Sequence, residues 1–242
     1  MFAGSERARA ERDAFERFAL RVSDLRCSKP GLEASSVHGG GRLLKHETVD
    51  DSALEAVKTA YLETVMGVPH YEEEYDESIA TNLSEEFSEE IALAVCTGSK
   101  LTPSIQQALI SESRQRSYKR DKFIDVIERE LAEISKAGCK FETIEEQCER
   151  LCSERRTSSY EQILATWEQL DCLEDDCSSV LHDRQCTLQE DGVDQFNDGH
   201  VLQEYLYASL PVTYPVLADG AQLLDRLADT RQTIMRFLYR RS

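Results

Sequence analysis

The residues best suited to chemistry follow a helix-breaking Gly-Val-Pro segment at residues 67–69. His70, Glu73 and Glu74 are three and four residues apart, so on a helix their imidazole and two carboxylates share one face. Such a set can bind a divalent metal ion or act as an acid–base pair. No second histidine motif accompanies it, and the sequence therefore favours the plainer interpretation, a solvated acidic segment after a helix break.

Thiols are the second group with possible chemistry, since six of the eight cysteines lie between residues 139 and 186. Cys148 and Cys152 are four residues apart, on one face of a predicted helix, and Cys172 and Cys177 are five apart. If the two helices pair antiparallel, these four thiols could bind zinc or form disulfides. Zinc ligands more often lie two to four residues apart on turns. The alternative is that Cys148 and Cys177 pack as small hydrophobic residues.

Aromatic residues flank the Gly-Val-Pro break and precede the C-terminal helix. Tyr61, Tyr71 and Tyr75 could pack together over the break. They are candidate interaction residues together with His70 and with three tyrosines near the C-terminus, Tyr205, Tyr207 and Tyr214. The sequence contains no G-x-G-x-x-G, no Walker loop, no H-E-x-x-H and no G-x-S-x-G, so we infer no catalytic residue and no cofactor.

The elements that must position these residues are helices, because apolar residues recur at steps of three and four along most of the chain. We predict an amphipathic helix over 1–27, a Gly- and Ser-rich linker over 28–48 and a helical bundle over 49–242. Within the bundle we expect a long hairpin over about 103–190 and a C-terminal helix over about 215–240. No segment alternates apolar and polar residues convincingly. The prediction is an all-α fold of long antiparallel hairpins in a coiled-coil-like bundle.

Capping residues set the expected helix boundaries. One helix is predicted from Asp50 or Ser52 to about Met66, and a single helix over 78–95. Thr102 followed by Pro103 predicts the start of a long helix, which Gly138 should interrupt.

The last helix of the hairpin is expected to begin near Ser158 or Ser159. Its positions alternately four and three apart form the seam of paired helices. The eight seam positions are Ile163, Trp167, Leu170, Glu174, Cys177, Leu181, Arg184 and Leu188. All except Glu174 and Arg184 are apolar, with Cys counted as apolar.

The charge balance restricts the partners. The 242 residues carry 46 acids against 28 bases, of which 20 are Arg and eight Lys, a formal charge of −18 at pH 7. Binding to nucleic acid or anionic membranes needs basic surface, so we expect neither. The N-terminus is charged from Glu6 on, and the 14 uncharged residues of 205–218 are too short to span a bilayer and contain two prolines. We expect a cytoplasmic protein with reduced thiols and no membrane insertion.

The charges are also unevenly distributed. Residues 72–90 hold nine acids and no base, whereas residues 111–122 hold five bases and two acids. The basic stretch could face nucleic acid or an acidic partner. The plainer interpretation is the solvated part of a long helix, which would neutralise part of the acidic stretch within the fold.

Two segments resemble a known family. Residues 60–75, AYLETVMGVPHYEEEY, and residues 202–217, LQEYLYASLPVTYPVL, are similar to the central and C-terminal signatures of an uncharacterised family of haloarchaeal helical proteins. The resemblance covers most of the chain. It implies a salt-loving archaeal source and a cytoplasmic helical protein, and it implies no activity, cofactor or catalytic residue. The cysteine-rich region 139–186 departs from the Ala-, Leu- and Arg-rich helices of that family.

The sequence favours a non-enzymatic interaction or scaffold protein that binds a protein partner or itself. The alternative is a regulatory protein that responds to thiol chemistry or to a metal through the cysteines or residues 70–74. A metal-assisted hydrolase at residues 70–74 is the third hypothesis.

Overall fold

The computed structural model describes residues 3–27, 51–153, 159–191 and 206–241; the predicted linker over 28–48 lies outside these ranges. Within them the regular structure is helical and contains no strand, which confirms the all-α class. None of the helices in these ranges is long and apolar enough to cross a membrane. They are α1 (Ala3–Ser23), α2 (Asp51–Thr64), α3 (Tyr71–Glu74), α4 (Ile79–Glu86), α5 (Glu89–Thr97), α6 (Pro103–Ser153), α7 (Tyr160–Asp191) and α8 (Pro215–Arg241).

The chain forms two compact units, Met1–Glu128 and Arg129–Ser242, and the boundary falls within α6. The predicted N-terminal helix, α1, is therefore part of the first unit. The second unit contains the remainder of α6 together with α7 and α8.

α6 shows that the predicted interruption at Gly138 is wrong. The helix begins as expected, with the Thr102 hydroxyl accepting the Ile105 N–H at 3.2 Å, and it continues unbroken from Pro103 to Ser153. A glycine inside a helix costs only about 1 kcal/mol relative to alanine. That cost is too small to break a helix whose neighbouring side chains, Ala137 and Phe141, pack in the core of the second unit.

The single helix expected over 78–95 is instead two helices. α4 ends at Glu86, and the Ser88 hydroxyl accepts the Ile91 N–H at 3.2 Å to cap the start of α5. The apolar spacing of Ile79, Leu83, Phe87 and Ile91 continues across the break, and for this reason periodicity alone did not reveal it.

In the first unit, α1 runs antiparallel to α2 and to the first part of α6. Glu11, early in α1, contacts both His70 and Arg120, whereas Val22, late in α1, accepts a hydrogen bond from Gln106. The core between these helices is aromatic: Phe18 lies 5.1 Å from Tyr61 and 6.1 Å from Phe87, measured between ring centroids.

In the second unit, α6 and α7 form the antiparallel hairpin that the sequence predicts. Glu130 of α6 contacts Arg184 of α7. Fourteen residues further along α6, Ile144 shares a core with Leu173, which lies eleven residues before Arg184 in α7, so the two helices run in opposite directions. The Ser159–Gln162 pair caps α7, with Ser159 N–H donating to the Gln162 amide oxygen at 2.8 Å.

α8 packs antiparallel to α7, completing a bundle of three helices. The Cys177 thiol of α7 donates to the Gly220 carbonyl of α8 at 3.6 Å. Arg231, later in α8, contacts Glu174, which lies one turn before Cys177 in α7, at 2.8 Å, so the two helices run in opposite directions. Because α7 contacts two helices, its buried stripe is wider than the predicted seam and includes Leu173 and Val180.

Candidate functional site

The first unit gathers three side chains of metal-binding type. Glu11 in α1, His70 just before α3 and Glu74 at the end of α3 each have a ligand atom within 4.8 Å of the other two. His70 and Glu74 are residues that the spacing singled out. Glu73 is exposed and lies outside this group.

Glu11 is the member that sequence reasoning missed, because only the packing of α1 brings it to His70. A signal was present. Glu11 lies three residues after Ala8 and four before Phe15, so it occupies the apolar stripe of an amphipathic helix. A carboxylate at such a position needs partners, since a buried charge without them is costly.

Each oxygen of the Glu11 carboxylate has its own partners. Oε1 lies 3.0 Å from His70 Nε2 and accepts the Tyr75 hydroxyl at 3.1 Å. Oε2 accepts the Arg120 Nε–H at 2.6 Å. Arg120 also donates to Glu86 at 2.9 Å and lies 4.5 Å from the centroid of the Phe15 ring, which fixes the plane of its guanidinium.

These partners keep Glu11 ionised. Burial raises the pKa of its carboxyl, but hydrogen bonds and charge attraction from Arg120, and hydrogen bonds from His70 and Tyr75, lower it by more, so the net pKa lies below the ordinary value. Burial and the nearby Glu11 carboxylate raise the pKa of Tyr75, which therefore remains a hydroxyl donor at neutral pH.

The predicted neutralisation of the acidic stretch by the basic stretch is confirmed at Glu86. Arg120 and Arg116 contact its two carboxylate oxygens at 2.9 and 3.6 Å. Glu74 instead contacts Arg7 of α1.

A small cavity adjoins this centre. Its volume is about 10 Å³, enough for about one water molecule, and Glu11, Tyr71, Tyr75 and Arg120 are among the residues that line it. The Tyr71 side chain is 7% exposed, and its buried hydroxyl has no hydrogen-bond partner among the residues that the structure describes.

The tyrosines singled out from the sequence lie in different environments. Tyr61 is fully buried and donates to Asn82 at 2.6 Å; Tyr207 is buried and donates to Glu130. Tyr71 and Tyr75 lie side by side, with ring centroids 5.5 Å apart, and Tyr75 is partly exposed. Tyr214 is exposed, and Tyr205 lies outside the described residues.

Of the four singled-out thiols, Cys148 and Cys177 pack in the same hydrophobic core of the second unit, as the alternative interpretation predicts. Cys177 is buried and Cys172 is exposed, and none of the eight cysteines, all of which lie in the described ranges, forms a disulfide. Across those ranges, no cysteine belongs to a group of three metal-ligand atoms. Cys148 and Cys152 are neighbours on α6. Burial is the main cause, and the Cys152 thiol a smaller one, that raises the pKa of Cys148 to about 11.

An open groove runs between α6 and α7. Two adjoining clefts of about 400 and 450 Å³ share Gln147 and Asp176 as lining residues. Leu151 supplies apolar surface to the groove, and Ile144 and Val180, each 5% exposed, form part of its floor. The polar residues along it are Cys139, Lys140, Thr143, Arg150, Gln169, Cys172 and Ser179.

Residues 3–231 match the model of a family described as "Domain of unknown function (DUF7260)". Neither the curated proteins nor the solved structures include a match to this chain.

Proposed function

We propose that this chain, which belongs to the DUF7260 family, is a non-catalytic helical interaction protein that associates with a second copy of itself through the groove between α6 and α7. The groove itself is the observation that carries the proposal. It combines apolar surface with charges of both signs, and its two clefts extend along both helices of the hairpin.

The charges of the groove support a second copy as its occupant. The α6 wall contributes Lys140 and Arg150, whereas the α7 wall contributes Asp176. In a two-fold symmetric dimer the same surface of each copy forms the interface. A two-fold axis that passes through the groove would place the basic α6 wall of one copy against the acidic α7 wall of the other. Two hairpins facing one another would form a layer of four helices, an arrangement that helical bundles commonly adopt.

The composition supports the cytoplasm of a halophilic archaeon as the setting. An acidic surface keeps a protein soluble in concentrated salt, and the charge of −18 with more Arg than Lys fits this adaptation. At molar ionic strength the screening length falls to about 3 Å. Association would then depend on apolar contact and on short-range ion pairs.

We do not propose hydrolysis at residues 70–74. The cavity beside Glu11 has room for about one water molecule and none for an organic substrate.

Light scattering after size-exclusion chromatography at molar salt tests the proposal. The chain mass is 27.5 kDa, and we expect twice that mass, about 55 kDa, for the wild-type protein. Ser179→Arg places a bulky side chain in the groove and should give the monomer mass. Ser178→Arg is the matched control, because Ser178 is exposed on α7 but does not line the groove. A monomeric wild-type protein, or equal masses for the two variants, would refute the proposal.

Cysteine cross-linking provides a second readout. A chain that retains only Cys139, which lines the groove, should form covalent dimers under mild oxidation. A chain that retains only Cys186, which is exposed and does not line the groove, is the control. Equal cross-linking of the two chains would place the contact elsewhere.

A further inference from the structure

We propose that Glu11, His70 and Glu74 bind a first-row divalent transition-metal ion. This inference concerns the first unit and is independent of the proposed association through α6 and α7. The three ligand atoms lie within 4.8 Å of one another, a separation compatible with one shared ion.

The ligand set determines the class of metal. One imidazole nitrogen and two carboxylate oxygens suit the borderline ions Fe²⁺, Co²⁺ and Zn²⁺, and also Mn²⁺, a harder ion that favours carboxylates and accepts an imidazole. Ca²⁺ and Mg²⁺ prefer oxygen ligands alone, and soft ions such as Cu⁺ prefer sulfur.

The environment of Glu11 leaves one oxygen oriented for metal binding. Arg120 holds Oε2 at 2.6 Å, so the carboxylate is fixed with Oε1 towards His70. Oε1 also accepts the Tyr75 hydroxyl at 3.1 Å, and its second lone pair is the one that a metal ion would share. Outer partners that orient a ligating carboxylate in this way are a regular feature of metal sites. His70 is itself buried, which restricts the motion of its ring.

The Tyr71 hydroxyl is an independent observation that points to a further ligand. Within the described part of the chain it is buried without a hydrogen-bond partner, and Tyr71 and Glu11 line the same water-sized cavity. Buried polar groups rarely lack partners, and an unpaired hydroxyl in a water-sized polar cavity indicates that a water molecule belongs there. Of the three proposed ligands, Glu11 lines this cavity and His70 and Glu74 do not. We therefore expect a water on the Glu11 side of the ion, which would bond to the Tyr71 hydroxyl and supply a fourth ligand.

Arg7 competes with the metal for Glu74. Its guanidinium contacts the Glu74 carboxylate, and its side chain is 43% exposed, so it can move into solvent when an ion binds. Arg120 is far less exposed and bonded to both Glu11 and Glu86, so we expect it to stay in place. The site therefore exchanges a protein cation for a metal cation at Glu74.

Titration with Mn²⁺, followed by the loss of the electron paramagnetic resonance signal of the free ion, tests the site. Mn²⁺ is the suitable probe because it avoids thiols, of which the chain has eight. We expect one Mn²⁺ per wild-type chain. Glu74→Gln and His70→Ala should each weaken binding at least tenfold, and Arg7→Gln should strengthen it several-fold.

Glu73→Gln is the matched control, since Glu73 is adjacent in sequence, exposed and outside the ligand group. Glu73 and Glu74 are both exposed, so neither substitution should impair folding, and circular dichroism checks this. The proposal is overturned if the wild-type chain binds no stoichiometric Mn²⁺. It is also overturned if E73Q and E74Q bind equally, or if R7Q binds no tighter than wild type.

Discussion

Glu130 of α6 and Arg184 of α7 form an ion pair inside the second unit, with 2.5 Å between Glu130 Oε1 and Arg184 Nη2. Their side chains are only 4% and 5% exposed, and the Tyr207 hydroxyl donates to the same Glu130 oxygen. Arg184 occupies a position in the apolar seam of α7. A shift of the hairpin by one turn would leave both charges buried without partners, so the pair selects one register.

Replacement of Arg184 by Leu should destabilise the second unit strongly. The substitution leaves the Glu130 carboxylate buried without its cation, for which we expect a loss of about 3–5 kcal/mol in the free energy of unfolding. The double variant Glu130→Leu with Arg184→Leu should recover much of this loss, because no charge remains buried.

Chemical denaturation followed by circular dichroism measures both variants. Lys140→Ala is the control, since the Lys140–Asp183 pair spans the same hairpin at 3.9 Å but is exposed, and its loss should cost about 0–1 kcal/mol. A double variant as unstable as Arg184→Leu would contradict the prediction.

Two helical glycines of the second unit should respond oppositely to alanine. A Cβ at Gly138 would meet nothing within 4 Å, so Gly138→Ala should stabilise the protein by about 0.5–1 kcal/mol. A Cβ at Gly220 would lie 2.5 Å from a Leu181 methyl and 2.7 Å from the Phe141 ring. Overpacking of this kind costs about 1–3 kcal/mol, so Gly220→Ala should be destabilising. The midpoints of thermal unfolding should move in opposite directions; a shift of the same sign in both would refute this packing of α8.

The cysteines should differ in their rates of alkylation. With a pKa of about 11, the Cys148 thiol is ionised in only about one molecule in a thousand at pH 8, and the thiolate is the reactive form. Cys177 is buried and Cys172 is exposed. We expect iodoacetamide to modify Cys139, Cys172 and Cys186 first and Cys148 and Cys177 last, as followed by peptide mass spectrometry. Equal rates at Cys148 and Cys172 would contradict the burial of the Cys148 thiol.

Glu11 should contribute stability that acid removes. Its folded pKa is lowered relative to the unfolded chain, so the contribution is fully present above the unfolded value of about 4.5 and is lost as the pH falls through the folded value. At pH 7, Glu11→Gln removes the charge partner of Arg120 and should cost about 1–3 kcal/mol. Below pH 4.5 the difference from wild type should shrink, as measured by denaturation at a series of pH values. Glu73→Gln should show no such trend, and a difference that grows with acidity would refute the role assigned to Glu11.

Local signals predicted most helix boundaries. Thr102 and Ser159 cap α6 and α7 where expected, because a cap depends on residues within one turn. Gly138 and Ser88 show the limit of such signals. α6 continues through Gly138 because packing outweighs the cost of the glycine. α4 ends before Ser88 although the apolar period continues into α5.

The all-α class, the antiparallel hairpin of α6 and α7 and the position of His70 beside a run of glutamates are all predictable from the amino-acid sequence. These properties follow from periodicity and from neighbours in the chain. The side chains that meet across the fold are set by tertiary packing: Glu11 and Glu74, and not Glu73, group with His70, and Cys148 packs with Cys177 in the core of the second unit. Glu11 and His70 are 59 residues apart, so their contact arises from the packing of α1 and not from any local spacing.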